Sequence, residues 1–420
     1  MGSDVLKLDK ERIRSLFDLR LRGEGTAGLY RDDPYPAFHR LRESGPVHVG
    51  VVHKLVGYAG EATFQGLPEP DRPHFSVFSY EACDEAFRDA ESFPSSPVDV
   101  QGTEGLGIAS SMLAMNGTRH RRYRGLVQPS FIPARAAWWI DRWISKTVNA
   151  LIDGFESDGR AELNVDFDAA IPLLTITGSF GVDVEDALEI RSAFRQGDNL
   201  QGALPVLHRI LMPIIAARRE HAEDDLITVL CQAELTDDEG THRLSDAEIF
   251  SFSYLLLAAG SGTTWKQLGI TLAALLTHPD ALERVREDRA LLRAAIEESL
   301  RWAPTDPVFS RYAARDLTFF GTAVPAGSVL HLCLGAANRD PARWRDPDAY
   351  DITRPAMPGL AFGGGPHICL GMHVARAEMF TAIDALLERL PNLRLDPDAE
   401  PPRIVGMYER GPDQLPVVWG

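Results

Sequence analysis

A mainly helical fold with a minor sheet is what this sequence predicts, and three observations predict it. From about residue 118 to 300 the apolar residues recur at helical spacing. One long apolar pattern, Ile249 to Leu276, opens on the Ser-x-x-Glu signature of a capping box at Ser245 and Glu248. Strand-like alternation is confined to short runs, HFSVFSY at 74–80 and DLTFFGTAVPAGSVLHLCL at 316–334.

In chain order, residues 10–45 carry a helical pattern ending in PAFHRLRESGPV, and the strand at 74–80 leads into the helical EACDEAFRDA. The long segment between them, from Val47 to His74, reads as a surface hairpin. Within the helical stretch, GVDVED and TDDEGTHRLSD read as turns. The helix starting at Ser245 stops at His278-Pro279 and spans roughly 45 Å at the α-helical rise. Lys266 and Gln267, with several Ser and Thr, interrupt its apolar run, which makes it a buried central helix and not a membrane span. Residues 316–334 form a hairpin. No stretch reads as a linker, repeat or low-complexity tract, so residues 1–420 are expected to form one domain, with its β-rich part mainly within 45–80 and 305–335.

The composition, 45% hydrophobic and 25% charged, is that of a globular chain with a large core. A net charge of -17 repels phosphate backbones and anionic lipid, which argues against nucleic acid as a partner. Arg119, Arg121, Arg122 and Arg124 cluster against that background, either as a solvated helix face or as a docking surface for an acidic protein. The opening MGSDVLKLDKERIRSLFDLR has no apolar core, so neither a signal peptide nor a membrane anchor is expected and the chain is expected in the cytoplasm. Cys83, Cys231, Cys333 and Cys369 are far apart and form no CxxC pair, which argues against a disulfide framework and a structural zinc site.

The segment AFGGGPHICLGMHVARAEMF sets Cys369 after three glycines and before a helical pattern. A cysteine at a helix N-terminus favours the thiolate, and Gly363 to Gly365 would let backbone approach a flat ligand. Neither phosphate-binding glycine pattern is present. The run from Phe362 to Gly371, F-x-x-G-x-H-x-C-x-G, closely resembles the cysteine-ligand loop of the cytochrome P-450 family. Glu298-Ser299-Leu300-Arg301 resembles the family's E-x-x-R motif, and Arg354, after DPDAYDIT, matches the arginine completing its structural triad.

The resemblance covers nearly the whole chain and implies the family's single-domain fold, with haem b between the central helix and the cysteine loop. It makes Cys369 the axial ligand of the iron, with Phe362 and Gly371 in the ligand loop. It makes His120, Arg124, Arg311 and His367 the partners of the haem propionates; His120 and Arg124, four apart, share one helical face. Ala259-Gly260-Ser261-Gly262-Thr263-Thr264 matches the dioxygen groove of the family's central helix, with Ser261, Gly262, Thr263 and Thr264 as the catalytic positions. Close helix packing equally accounts for the glycines, and a hydroxyl bonded back to its own helix for Thr263. Here the chain departs from the family: Gly262 occupies the place of a carboxylate that helps deliver protons. Bound water, an acid from another segment, or hydrogen peroxide as oxidant would each make good the loss.

Substrate contacts implied by the resemblance are the loop at 95–114, Tyr254, Leu257 and Ala258 of the central helix, Val308 and Phe309, and the turn at Met407. These are largely apolar, so a small, mostly hydrophobic substrate is expected. The implied function is a monooxygenase that hydroxylates or oxidatively dealkylates that substrate with O2, taking electrons from a ferredoxin or flavodoxin and its reductase, with Arg121 and Arg122 supplying a basic docking face. The alternatives are a peroxide-driven peroxygenase, a nitric oxide reductase-like enzyme, or a haem protein that only binds a ligand.

Overall fold

The structure is a computed structural model, described here over residues 9–17, 30–62, 67–96, 111–196 and 200–420. Its axis is the helix Asp246–Thr277, 32 residues long, or about 48 Å at the α-helical rise. Both halves of its capping box form: Ser245 Oγ accepts the Glu248 N–H, and the Glu248 carboxylate accepts the Ser245 N–H at 2.8 Å. His278 closes the helix, and Pro279 starts the next one, Pro279–Glu287. Residues on either side of its middle are buried, but Ala258 to Thr263 keep accessible surface. Exposure in the middle of an otherwise enclosed helix marks a cleft that opens on it.

Four strands form the main sheet, in the order Val47–Val49, His74–Val77, Val329–Leu332, Phe309–Tyr312. The outer pairings are antiparallel and the central one parallel, with Phe75 opposite Leu330. Only part of 316–334 is a hairpin, Leu317–Phe319 with Thr322–Val324. The chain then continues into the central strand Val329–Leu332, all four residues of which, His331 included, are buried because both faces are covered.

Two expectations are corrected. The segment TDDEGTHR is not merely a turn: Glu234–Asp237 and Gly240–Arg243 pair as a hairpin of mostly polar residues, none of them buried, so no apolar signal announced it. The Val47 to His74 segment is not merely a surface hairpin. It contains the short helix Val52–Leu55 with Val52 and His53 buried, and His53 Nδ1 lies 2.7 Å from the Tyr408 hydroxyl. That contact ties it to the turn between the C-terminal strands Ile404–Val405 and Gly411–Pro412.

Candidate functional site

The cysteine loop is held from three sides. Cys369 N–H donates to the Phe362 carbonyl at 2.9 Å, and Ile368 N–H to that of Gly365 at 3.1 Å. Arg124, from the helix Gly117–Val127, donates through Nη1 to the carbonyls of Ile368 at 2.7 Å and Pro366 at 3.3 Å. The Arg376 guanidinium lies over the Phe362 ring, 4.6 Å from its centroid. Gly363 and Gly365 have φ of 68° and 64°, and a Cβ on Gly365 would overlap the Phe87 carbonyl oxygen. The glycines therefore seat the loop on the helix Tyr80–Arg88, rather than only opening it to a flat ligand. Gly371, at the start of the helix Met372–Arg389, meets nothing within 4 Å where a Cβ would stand.

Cys369 is accessible although protein surrounds it, so its thiol faces an internal cleft. Burial pushes the thiol up, with Asp306 adding to the effect, while the Gly371 N–H, Arg124 and Arg376 pull it back. In the protein alone burial outweighs the helix N-terminus, and a bound metal ion is what would hold the thiolate.

Beside the loop lies a basic cluster. The rings of His120 and His367 stack with centroids 3.9 Å apart. Burial, then the nearby arginines, push His120 down to about 4. Burial, then His120, Arg311 and Arg124, push His367 down to about 3 against a hydrogen bond to the Met115 backbone. Arg311 is buried; its Nη1 donates to the Ser310 carbonyl at 2.9 Å, its guanidinium lies 4.8 Å from the Phe87 ring centroid, and burial lowers it to about 10. Among the described residues no carboxylate pairs with any of these four groups, and His120 Nε2 is buried without a partner. Arg311, a cation enclosed without counter-charge, is costly, and Arg124 stands half-buried beside it. A ligand with two carboxylates on one edge, beside a metal bound by Cys369, supplies what the cluster lacks, so the residues fit haem.

The triad is assembled on the helix Leu291–Trp302. Glu298 accepts from Arg301 at 2.7 and 2.8 Å, from the Asp351 N–H at 2.9 Å, and from Arg354 Nε at 3.2 Å. Arg301 also donates to the carbonyls of Asn338, Pro347 and Ala349. Asn338 in turn accepts the Leu360 N–H at 2.7 Å, at the entrance of the cysteine loop.

On the central helix the two glycines differ. A Cβ on Gly260 would stand 2.7 Å from Ile176 Cδ1 of the neighbouring helix Ala170–Ser179, so Gly260 serves close packing. A Cβ on Gly262 would meet only Glu409 Oε1, at 3.2 Å. Ser261 Oγ and Thr263 Oγ1 donate back to the carbonyls of Leu257 at 2.6 Å and Ala259 at 2.8 Å, and Thr264 is buried. Sequence reasoning missed Glu409, Lys266 and Asp306 at this site; the only signal was the missing acid at position 262.

Of the predicted substrate contacts, Ala258 and Phe309 keep accessible surface. Tyr254 and Leu257 are instead enclosed in the main core, and Val308 and Met407 in a smaller cluster with Tyr408. The resemblance implied the contacts without saying which of these side chains the fold encloses. Residues 97–110 of the predicted substrate loop lie outside the described residues. On the expected docking face, Arg122 is committed to Asp237 and Glu239 at 2.5 and 2.8 Å, whereas Arg121 is exposed and bonds Thr118.

The cytochrome P-450 family model matches residues 195–407. The chain is 32% identical over 415 residues to a vitamin D(3) 25-hydroxylase of Pseudonocardia autotrophica, covering 94% of this chain and 96% of that protein. It is 32% identical over 402 residues to the cytochrome P-450 monooxygenase PikC of Streptomyces venezuelae, covering 92% and 91%. Among solved structures, the bacillaene polyketide synthase cytochrome PksS of Bacillus subtilis superposes with a TM-score of 0.80 at 27% identity, covering 92% of this chain and 97% of that one. By fold and by these matches the chain is a haem b-dependent, oxygen-incorporating oxidoreductase, a member of the cytochrome P-450 family.

Proposed function

We propose that Cys369 is the axial thiolate ligand of the haem iron, and that the enzyme hydroxylates or oxidatively dealkylates a small, mostly hydrophobic molecule. O2 is the oxidant, and a ferredoxin or flavodoxin with its reductase supplies electrons in the cytoplasm. The observation that carries the reading is the basic cluster without counter-charge beside the Cys369 cleft. Arg311 and Arg124 offer positive charge to the two propionates, while His120 and His367, uncharged near neutral pH, offer ring N–H groups.

When bound, the haem activates dioxygen, and electron density from the thiolate favours O–O cleavage. Arg124 and Phe362 fix the loop that presents the Cys369 sulfur. Glu298, Arg301 and Arg354 brace the segments behind it. Ala258 and Phe309, which keep accessible surface, are the apolar groups that would meet the substrate, and the vitamin D(3) relative accords with a hydrophobic substrate. Thr263 and Ser261 satisfy their own helix with their protons and keep oxygen lone pairs free to accept a proton-carrying water.

A screen of hydrophobic compounds by shift of the Soret band, followed by product analysis, tests the reading. Product formed with NADH, ferredoxin, reductase and O2 supports it. Product with peroxide alone makes the enzyme a peroxygenase, and band shifts without product under either regime leave only a ligand-binding protein.

A further inference from the structure

The position emptied of its acid at Gly262 is filled from another part of the chain. With only 3.2 Å between a Cβ on Gly262 and Glu409 Oε1, an aspartate built there would compete for the space that the Glu409 carboxylate holds. Glu409 stands on a tightly braced turn. Gly406 has a φ of 98° and a Cβ on it would overlap the Glu409 carbonyl oxygen. Arg410, buried, donates to the carbonyls of Gly406 at 2.9 Å and Ile404 at 3.0 Å.

Hydrogen bonds at Thr305 draw this turn to the central helix. Arg410 N–H donates to the Thr305 carbonyl at 2.6 Å, Thr305 Oγ1 donates to the Arg410 carbonyl at 2.8 Å, and Thr305 N–H donates to Gln267 Oε1 at 2.9 Å. Lys266, one turn beyond Gly262, places Nζ 2.6 Å from Glu409 Oε1, and the two side chains are only 19% and 21% exposed. Asp306, next to Thr305, carries a carboxyl held well above the usual range by burial and then by the Glu409 charge, with Lys266 opposing. Gly262 lies in the accessible stretch Ala258 to Thr263, so the Glu409 carboxylate beside it stands at the cleft that opens on the central helix. A largely enclosed ion pair contributes little net stability, because desolvation offsets the attraction. Two carboxylates and one ammonium at the middle of the central helix therefore call for a role in the cleft.

We propose that Glu409 is the proton-supplying carboxylate of this enzyme, acting from the C-terminal turn in place of an acid at position 262, with Lys266 and Asp306 as its proton reserve. The proposal rests on the monooxygenase reading above. In each turnover one substrate C–H, one O2, two electrons from the redox partner and two protons become one C–OH and one water. Glu409 passes each proton towards the oxygen being reduced. The Lys266 ammonium or the Asp306 carboxylic acid restores it, and bulk water restores them.

The test is Glu409→Gln in the haem-loaded protein, read in two ways. Product formed per NADH is expected to fall by at least about tenfold, with haem content and the carbon monoxide spectrum unchanged. Association of hydrogen cyanide with the ferric protein, which requires a base to take up the HCN proton, is expected to slow by about tenfold or more and lose its pH dependence. Gly262→Asp alone crowds Glu409 and is expected to impair coupling, whereas Gly262→Asp with Glu409→Gln restores it to within about threefold of the starting enzyme. Coupling and cyanide association both within about twofold of the starting enzyme in Glu409→Gln overturn the proposal. If Glu409→Gln loses haem, Glu409→Asp is read instead: withdrawing the acid slows cyanide association, and an unchanged rate overturns the proposal. An unsubstituted enzyme that makes no product with O2 and its partners would instead refute the monooxygenase reading.

Discussion

Replacing Glu298 by alanine removes a carboxylate that accepts four hydrogen bonds, two from Arg301 and one each from Arg354 and the Asp351 amide. The pair is enclosed, with Arg301 4% and Glu298 5% exposed, so solvent cannot take over the lost bonds. Stranding a buried charge of this kind costs about 3–5 kcal/mol, a large fraction of the roughly 5–15 kcal/mol that keeps a protein folded. The damage has a route to the site: Arg301 donates to the Asn338 carbonyl, and the Asn338 side chain accepts the amide of Leu360 at the loop entrance. Glu298→Ala is therefore predicted to be purified largely without haem and to unfold at lower urea concentration, and Arg301→Ala to behave alike. Arg354→Ala leaves the Glu298–Arg301 pair in place and is predicted to be milder. Haem absorbance per protein and urea unfolding measure both effects. Normal haem content together with a midpoint shift worth less than about 0.5 kcal/mol for Glu298→Ala would refute the reasoning.

Gly365→Ala should abolish haem incorporation, since a Cβ there overlaps the Phe87 carbonyl and φ is positive, while Gly371→Ala, with open space and a φ of -80°, should be tolerated; haem content of the two purified variants decides. Gly260→Ala should lower stability through its 2.7 Å approach to Ile176, and Ile176→Val should recover part of the loss in a double-mutant cycle followed by urea unfolding. In the haem-free protein, His120 is held at about 4. Between that value and the ordinary histidine range the unfolded chain binds more protons, so stability is lost as pH falls below about 6.5. The His120 contribution is on the order of 2 kcal/mol at pH 5, measurable as a pH-dependent urea midpoint whose slope is reduced in His120→Phe and not abolished, because burial lowers His367 as well.

The elements that could be read in the sequence are those whose determinants are local. Ser245 and Glu248 lie three residues apart and form the capping box by themselves, and Glu298 and Arg301 meet within one turn of helix. Cys369 is set by glycines and a helix start inside a single segment. What sequence did not disclose depends on distant segments meeting. Gly262, Asp306 and Glu409 are drawn together by the bonds of Thr305 to Gln267 and Arg410 and by the Lys266–Glu409 ion pair. The family resemblance implied Tyr254, Leu257, Val308 and Met407 as substrate contacts, but a resemblance in motifs does not say which apolar side chain this chain leaves accessible and which it encloses. The hairpin at Glu234–Arg243 escaped because its exposed strands carry no buried face to enforce alternation.

The claim on which the rest depends is that the Cys369 sulfur binds the haem iron. The reduced, carbon monoxide-bound spectrum of the protein and of Cys369→His tests it. Ligation by Cys369 predicts a Soret maximum at the long-wavelength position of thiolate ligation, displaced in Cys369→His to the shorter wavelength of histidine ligation or lost with the haem. A histidine-type maximum in the unsubstituted protein, or a spectrum unchanged by the substitution, would contradict it.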